Sequence, residues 1–168
     1  VRKLYDNIVS YLSSLFSSGS MTEEQATQTA GMMYILSDIE RTDALCTEAT
    51  ESLQSILEKK HKLSAEAVED LCRGLQIIED MYQNVLEVIR TGNGEDARKI
   101  VHKKDNVLDL TLKLRKNHMK RVKQGACDAE MTSDFTRILH SFDRIGNSCA
   151  NIADAALTGV RSSTLSFL

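Results

Sequence analysis

The feature that most constrains the fold is an apolar stripe between Ser64 and Thr91, in which apolar residues recur at alternating intervals of three and four positions. Seven residues form it: Val68, Leu71, Leu75, Ile78, Tyr82, Val85 and Ile89. This spacing places all seven side chains on one face of an α-helix, whereas a half-buried strand alternates every two residues. The 168 residues include no proline and only eight glycines, which excludes linkers, collagen-like repeats and most turn-rich β architectures. The sequence therefore predicts an all-α protein.

Helix-breaking residues cluster in four places, and the segments between them give five predicted helices. Polar residues at the expected helix starts have the spacing of N-caps and capping boxes, in which a side chain bonds to backbone three residues on. These candidates are Ser64, Asn93 with Asp96, and either Thr22 with Gln25 or Ser20 with Glu23. The predicted loops are residues 17–20, 61–64, 91–94 and 124–128.

The last predicted helix repeats the stripe of an earlier one, 103 positions upstream. Phe135, Ile138, Phe142, Ile145, Cys149, Ile152 and Ala156 correspond to Met32, Ile35, Ile39, Thr42, Cys46, Ala49 and Leu53. We interpret this as an internal repeat. The second copy, residues 61–158, has three predicted helices at about 64–91, 94–123 and 129–158, whereas the first copy, residues 1–60, shows two. Residues 159–168 form a tail.

These lengths and short loops predict an elongated antiparallel helical bundle of three-helix repeats, the first of which lacks its first helix. Because the sequence starts at Val1, within a helical pattern, we expect the chain to be a piece of a longer protein. No apolar run approaches the roughly 18 residues of a membrane-spanning helix.

Charge is divided between two segments of the chain. Residues 21–58 hold eight acidic residues and one basic residue, and residues 101–123 hold eight basic and two acidic residues. One interpretation is that oppositely charged helices lie side by side with solvated faces, and the other is an anion site in the basic segment. The basic segment lacks interleaved aromatic residues for stacking on bases, so no nucleic-acid partner is expected.

No arrangement of nucleophile and base indicates an enzyme. The four cysteines lack a Cys-x-x-Cys pair and predict reduced thiols rather than a zinc site or disulfides. Glu58 and His61 form a single Glu-x-x-His, whereas di-iron bundles need two such motifs and two further acids. His118 and Cys127 flank a turn with no third group to orient them, so His118 is expected to pack or cap there.

A polar line follows the last helix on the face opposite its apolar stripe: Asp143, Asn147, Asn151 and Asp154. The equivalent line in the first copy is Glu40, Ala44, Glu48 and Glu51. Oxygen ligands one turn apart point the same way and can hold a cation between them. An ordinary solvated acidic face has the same spacing, so both interpretations stay open.

The segment 114–154 resembles the final helical hairpin of the PhoU-like domain at the cytosolic C-terminus of bacterial sodium/phosphate cotransporters. The resemblance lies in an Arg-Lys-x-His start, a Gly and a Cys in the turn, and an Asp-Arg-Ile followed by Asn-Ile-Ala. The segment DIERTDALCTEA in the first copy is a weaker echo of it. The matching residues are Arg115, Lys116, His118, Arg121, Gly125, Cys127, Phe135, Asp143, Arg144, Ile145, Asn147, Asn151, Ile152 and Ala153.

The resemblance implies two three-helix repeats, and in some relatives metal clusters held by acidic residues at i and i+4. This sequence departs from that pattern, because Asn147 stands at the second acidic position of one copy and Ala44 at that of the other. Alanine cannot ligate a cation, and an amide oxygen does so weakly. We therefore expect no cofactor and at most a weakly bound divalent metal at Asp143, Asn147, Glu40 and Asp43.

The resemblance also implies a non-enzymatic regulatory domain on the cytoplasmic face of the membrane, in a sodium-dependent phosphate transporter whose transmembrane part precedes Val1. That part is the expected partner, with self-association as a further interaction. The hairpin tip at residues 118–128 is the predicted contact, with Lys116, Lys120 and Arg121 facing the partner. The alternative is a free-standing soluble PhoU-like regulator that binds metal, and a metal-dependent enzyme is a third interpretation.

Overall fold

The computed structural model describes residues 2–19 and 21–158 and confirms the all-α fold class. No helix in the described residues is long and apolar enough to cross a membrane. The predicted tail, residues 159–168, lies outside the described part of the chain. The helices are α1 (Arg2–Ser17), α2 (Glu23–Glu58), α3 (Ala65–Thr91), α4 (Gly94–Lys123) and α5 (Thr132–Thr158), with a 3-10 turn at Ala129–Met131 before α5.

The helix starts are capped by the side chains that the sequence indicated. The Gln25 backbone N–H donates to Thr22 Oγ1 at 3.2 Å, and the Thr22 N–H donates to Gln25 Oε1 at 2.9 Å, so this pair forms the capping box of α2. Ser64 accepts a hydrogen bond from the Ala67 N–H at the start of α3. Asn93 accepts hydrogen bonds from two backbone N–H groups at the start of α4. The alternative capping box included Ser20, which lies outside the described residues.

Helix α5 is the centre of the bundle and packs against α2, α3 and α4, while α1 packs against α2. The hydroxyl of Ser55 in α2 donates to Asp134 in α5 at 2.8 Å, and Glu48, earlier in α2, lies 3.9 Å from Arg137, later in α5. The two helices are therefore antiparallel. The predicted stripe of α5 is buried throughout: Phe135, Ile138, Phe142, Ile145, Cys149, Ile152 and Ala156.

Two glycines allow close contact between helices. A Cβ atom on Gly74 of α3 would lie 2.7 Å from Cε2 of Phe142, and a Cβ on Gly146 of α5 would lie 3.2 Å from Cγ1 of Val107 in α4. Two carbon atoms separated by less than about 3.4 Å are closer together than in an ordinary van der Waals contact. These glycines therefore set how closely α3 and α4 approach α5.

The equivalent stripe of α2 is only half covered, unlike that of α5. Ile35 and Thr42 are buried, whereas Cys46 and Leu53 are exposed. An open apolar groove runs along this side of α2, and we call it the α2–α3 groove. Cys46, Leu53 and Leu57 line it from α2, Cys72 and Leu75 line it from α3, and Phe142 of α5 forms part of its floor.

Candidate functional site

His118 lies inside the α4–α5 hairpin rather than on its surface. Its side chain is fully buried and its ring stacks on that of Phe135, with 4.1 Å between centroids and 13° between planes. Its Nε2 lies 3.2 Å from the hydroxyl oxygen of Thr132. Burial and the nearby positive charge of Arg121 lower the pKa of His118 below its usual 6.5. His118 is therefore a neutral packing residue, as the sequence indicated.

Arg121 also turns inward and forms an ion pair with Asp70 of α3. Its Nη1 donates to Asp70 Oδ2 at 2.8 Å, and the two side chains are only 12% and 9% exposed. The Nε and Nη2 atoms of Arg121 are buried and bond to no described residue. The sequence placed Arg121 on a surface that contacts a partner, and this placement is wrong, because its guanidinium is enclosed between α3 and α4.

The α4–α5 turn is fastened to the α2–α3 loop. The Lys62 N–H donates to Asp128 Oδ2 at 2.7 Å, and the Asp128 N–H donates to the Lys62 carbonyl at 3.1 Å. Lys62 Nζ donates to the Gly125 carbonyl at 2.8 Å. Gly125 has a φ of 67°, which favours glycine, and Cys127 is buried. The predicted hairpin tip is therefore partly covered by the chain's own loop.

A basic surface remains exposed along α4, and we call it the α4 surface: Leu112, Arg115, Lys116, Met119 and Lys120. The spacing of these residues places them on one side of the helix. Leu112 is 51% exposed and Met119 is 42% exposed, so cations and apolar side chains lie side by side. Such a surface can bind an anionic group and cover apolar area at the same time.

The polar face of α5 has the orientation that its spacing predicted. Arg144, Asn151 and Asp154 are exposed, and Asp143 and Asn147 are half-buried. The amide nitrogen of Asn147 donates to the backbone carbonyl of Asp143 at 2.9 Å. Asn147 is thus partly engaged by its own helix.

The four candidate metal positions lie on two different helices. Glu40 is half-buried and Asp43 is exposed on α2, and Asp143 and Asn147 lie on α5. Within residues 2–19 and 21–158, no three His, Cys, Asp or Glu side chains are grouped closely enough to hold a metal ion. Metal binding at these positions stays a prediction.

Comparison of the sequence with models of known protein families shows to which family the chain belongs. The model of the PhoU domain matches residues 71–156, about half of the chain. The chain belongs to the PhoU domain family. The PhoU family is regulatory and non-catalytic, and membership indicates a role in regulating phosphate transport. No curated protein and no solved structure matches the chain.

The PhoU match runs from α3 to the end of α5 and lies within the predicted second copy, residues 61–158. The predicted division into 1–60 and 61–158 is not tested by this match and stays a prediction. The PhoU motif residues separate into two groups. Packing and turn geometry account for His118, Arg121, Gly125 and Cys127. Exposed motif residues are Arg115, Arg144 and Asn151.

Two features of this PhoU domain were missed from the sequence. The Asp70–Arg121 ion pair joins residues 51 positions apart. The only sign of it in the sequence was that Asp70 stands next to Leu71, on the side of α3 that was predicted to be buried. The α2–α3 groove was missed because a periodic apolar stripe predicts a buried face and does not say which half of it lacks a partner.

Proposed function

We propose that this PhoU domain regulates a sodium-dependent phosphate transporter from the cytoplasmic face of the membrane, by contact through the α4 surface. The observation that carries the proposal is the PhoU match across α4 and α5, the helices that bear the exposed motif residues Arg115, Arg144 and Asn151. An exposed polar residue within a family motif needs a reason other than packing. Contact with the transmembrane part of the transporter supplies such a reason.

The charge of the α4 surface supports this orientation. Residues 101–123 are strongly basic, and Arg115, Lys116 and Lys120 are exposed. Each basic side chain near an anionic membrane surface contributes about 1 kcal/mol of binding free energy, and salt screens this attraction. The anionic membrane surface would repel the acidic residues of α2. The domain would therefore orient with α4 toward the membrane and α2 away from it.

The fastening of the two loops supports transmission of this contact. Because Lys62 and Asp128 are joined by two hydrogen bonds, a shift of the α4–α5 turn would either move the α2–α3 loop with it or break these bonds. A contact made by the end of α4 next to this turn would therefore act on both loops and on the helices that they join.

The experiment measures sodium-dependent phosphate uptake by cells expressing the full-length protein. In one variant Lys116→Glu and Lys120→Glu are combined, and in the matched control Lys103→Glu and Lys104→Glu are combined on the other half of α4. All four lysines are exposed, so both variants should fold alike. We expect the first variant to change uptake and the control to retain it. Unchanged uptake in both, at normal expression, would remove the α4 surface from the mechanism.

A second measurement separates the transporter from a free-standing regulator. The gene region upstream of the codon for Val1 should encode several long apolar segments, and the full-length protein should sediment with membranes. A full-length protein that stays in the soluble fraction and binds metal would favour the free-standing regulator instead.

A further inference from the structure

The second half of α4 is a block of positive charge. Residues 110–127 contain six basic residues and no acidic residue, whereas residues 101–109 include two aspartates. In the described part of the chain, the ion pairs of α4 join Lys99 to acids of its own first turn and Arg121 to Asp70. The exposed cations between residues 112 and 123 are therefore available to an anion from outside the described chain.

Two exposed apolar side chains stand within this basic block. Leu112 is 51% exposed and Met119 is 42% exposed. They are seven positions apart, about two helical turns, so they lie on the same side of α4. Leu112 and Arg121 are nine positions apart, about 180° around the helix. Because Arg121 faces α3, Leu112 and Met119 point away from α3.

Three lysines lie beside these apolar side chains. Lys116, Lys120 and Lys123 are exposed, and the helical period places each of them within about 80° of Leu112 around α4. We call these three lysines and the two apolar residues the 112–123 row. Arg115 lies about 100° from Lys116 around the helix, on the other side of Leu112, so it stands at the edge of the row.

The composition of the 112–123 row matches the surface of an anionic bilayer. A lysine lays its apolar stem along a hydrocarbon surface and keeps its ammonium group in water, beside the lipid phosphates. Apolar side chains on the same helix face enter the boundary between headgroups and acyl chains, and both contributions strengthen binding. A bilayer deforms around a convex helix and needs no recess, whereas a protein partner would need acids and a pocket that match this row.

We propose that the 112–123 row binds anionic phospholipids directly. Leu112 and Met119 enter the headgroup region of the bilayer, and the three lysines pair with the lipid phosphates. This inference rests on the proposed function for the orientation of α4 toward the membrane, and it deepens that function by naming lipid as a partner of the α4 surface. Arg115, at the edge of the row, then faces the transmembrane protein that the lipid surrounds.

The electrostatic contribution is tested by flotation of the 168-residue chain with phosphatidylglycerol vesicles, with phosphatidylcholine vesicles as the neutral reference. We expect binding to the anionic vesicles that weakens as sodium chloride is added, because salt screens the charges. Each lysine near an anionic surface strengthens binding about fivefold, so Lys116→Ala with Lys120→Ala should lower the affinity about 25-fold. The matched control is Lys103→Ala with Lys104→Ala, which removes the same charge from exposed positions at least about 18 Å away along α4 and should keep most of the affinity.

Insertion of the apolar side chains is tested by fluorescence. The chain has no tryptophan, so Met119→Trp introduces a single reporter into the row. Its emission should shift to shorter wavelength when phosphatidylglycerol vesicles are added, and brominated lipids should quench it, because the ring leaves water for the headgroup region. The matched control is Leu86→Trp on α3, where the leucine is 43% exposed. The emission of this control should stay unchanged.

The lipid contact is refuted if the chain does not bind phosphatidylglycerol vesicles, if both lysine pairs weaken binding equally, or if Met119→Trp binds without a shift in emission. Because the vesicles contain no protein, these results are separate from the phosphate-uptake experiment. Changed uptake in Lys116→Glu with Lys120→Glu, without vesicle binding, would assign the α4 surface to a protein partner and overturn the lipid contact. Vesicle binding with unchanged uptake would support the lipid contact and refute the proposed function.

Discussion

Removal of the Asp70 carboxylate should be among the most damaging single changes in this PhoU domain. In Asp70→Ala, the Arg121 guanidinium loses the 2.8 Å bond at Nη1, and its Nε and Nη2 already bond to no described residue. The Arg121 side chain is 12% exposed in the wild type, so its charge would lose its hydrogen-bonded acid and keep only the electrostatic attraction of Glu66. Leaving one member of a buried ion pair alone costs about 3–5 kcal/mol of unfolding free energy.

The reciprocal variant should cost less. In Arg121→Met the Asp70 carboxylate keeps the Asn117 amide at 3.5 Å and the Arg73 guanidinium at 4.0 Å. We expect a loss of about 1–3 kcal/mol, the cost of a poorly paired buried group. The double variant should be more stable than Asp70→Ala alone, because it removes the unpaired cation.

The assay is urea unfolding at pH 7 of the wild type, both single variants and the double variant. Glu87→Ala is the matched control, because Glu87 and Arg90 form a shorter contact of 2.6 Å on an exposed surface. We expect no measurable change in the control midpoint, since solvent screens exposed pairs. If Asp70→Ala costs less than about 1 kcal/mol, or if the double variant loses the sum of the two single losses, the reasoning from burial is wrong.

Three further outcomes are expected. The pKa of His118 is lowered in the folded state from its usual 6.5, so the unfolded chain takes up this proton at a higher pH than the folded chain does. The free energy of unfolding therefore decreases as the pH is lowered from about 6.5 toward the pKa of the folded state. His118→Gln should weaken this pH dependence of the urea midpoint, and an unchanged dependence would contradict the reasoning. Phe142→Ala should cost about 3–5 kcal/mol in unfolding experiments, and a loss below about 1 kcal/mol would show that the groove lets the site collapse. Elemental analysis after dialysis against a mild chelator should find no stoichiometric transition metal, since Ala44 and Asn147 replace carboxylates; one iron or zinc per chain would refute this.

The helices of this domain follow from local chemistry and could be predicted closely. The caps at Ser64 and Asn93 and the left-handed Gly92 define the bounds of α3 and α4 within a residue of expectation. The burial of the α5 stripe was also predictable, because periodicity identifies an apolar face without knowledge of its partner. Only the start of α5 differs, where the 3-10 turn at Ala129–Met131 precedes the helix.

The candidate site was predicted less well, since it depends on contacts between distant segments. Lys116, Lys120 and Arg121 look alike in the sequence, yet only Arg121 is turned toward α3 by its place on the helix. A basic segment does not say which of its residues will meet an acid on another helix. Likewise, α2 and α5 carry equivalent stripes, and their different burial depends on which neighbours are present.

The measurement that tests the central claim most directly is site-specific photo-crosslinking in cells that express the full-length protein. A photoreactive amino acid replaces Arg115 on the α4 surface, and in the control it replaces Glu69, which is exposed on α3. The account predicts crosslinks from position 115 to membrane-embedded peptides of the transporter, weakened at high salt, and none from position 69. Crosslinks from position 115 only to soluble proteins, or equal crosslinking from both positions, would contradict it.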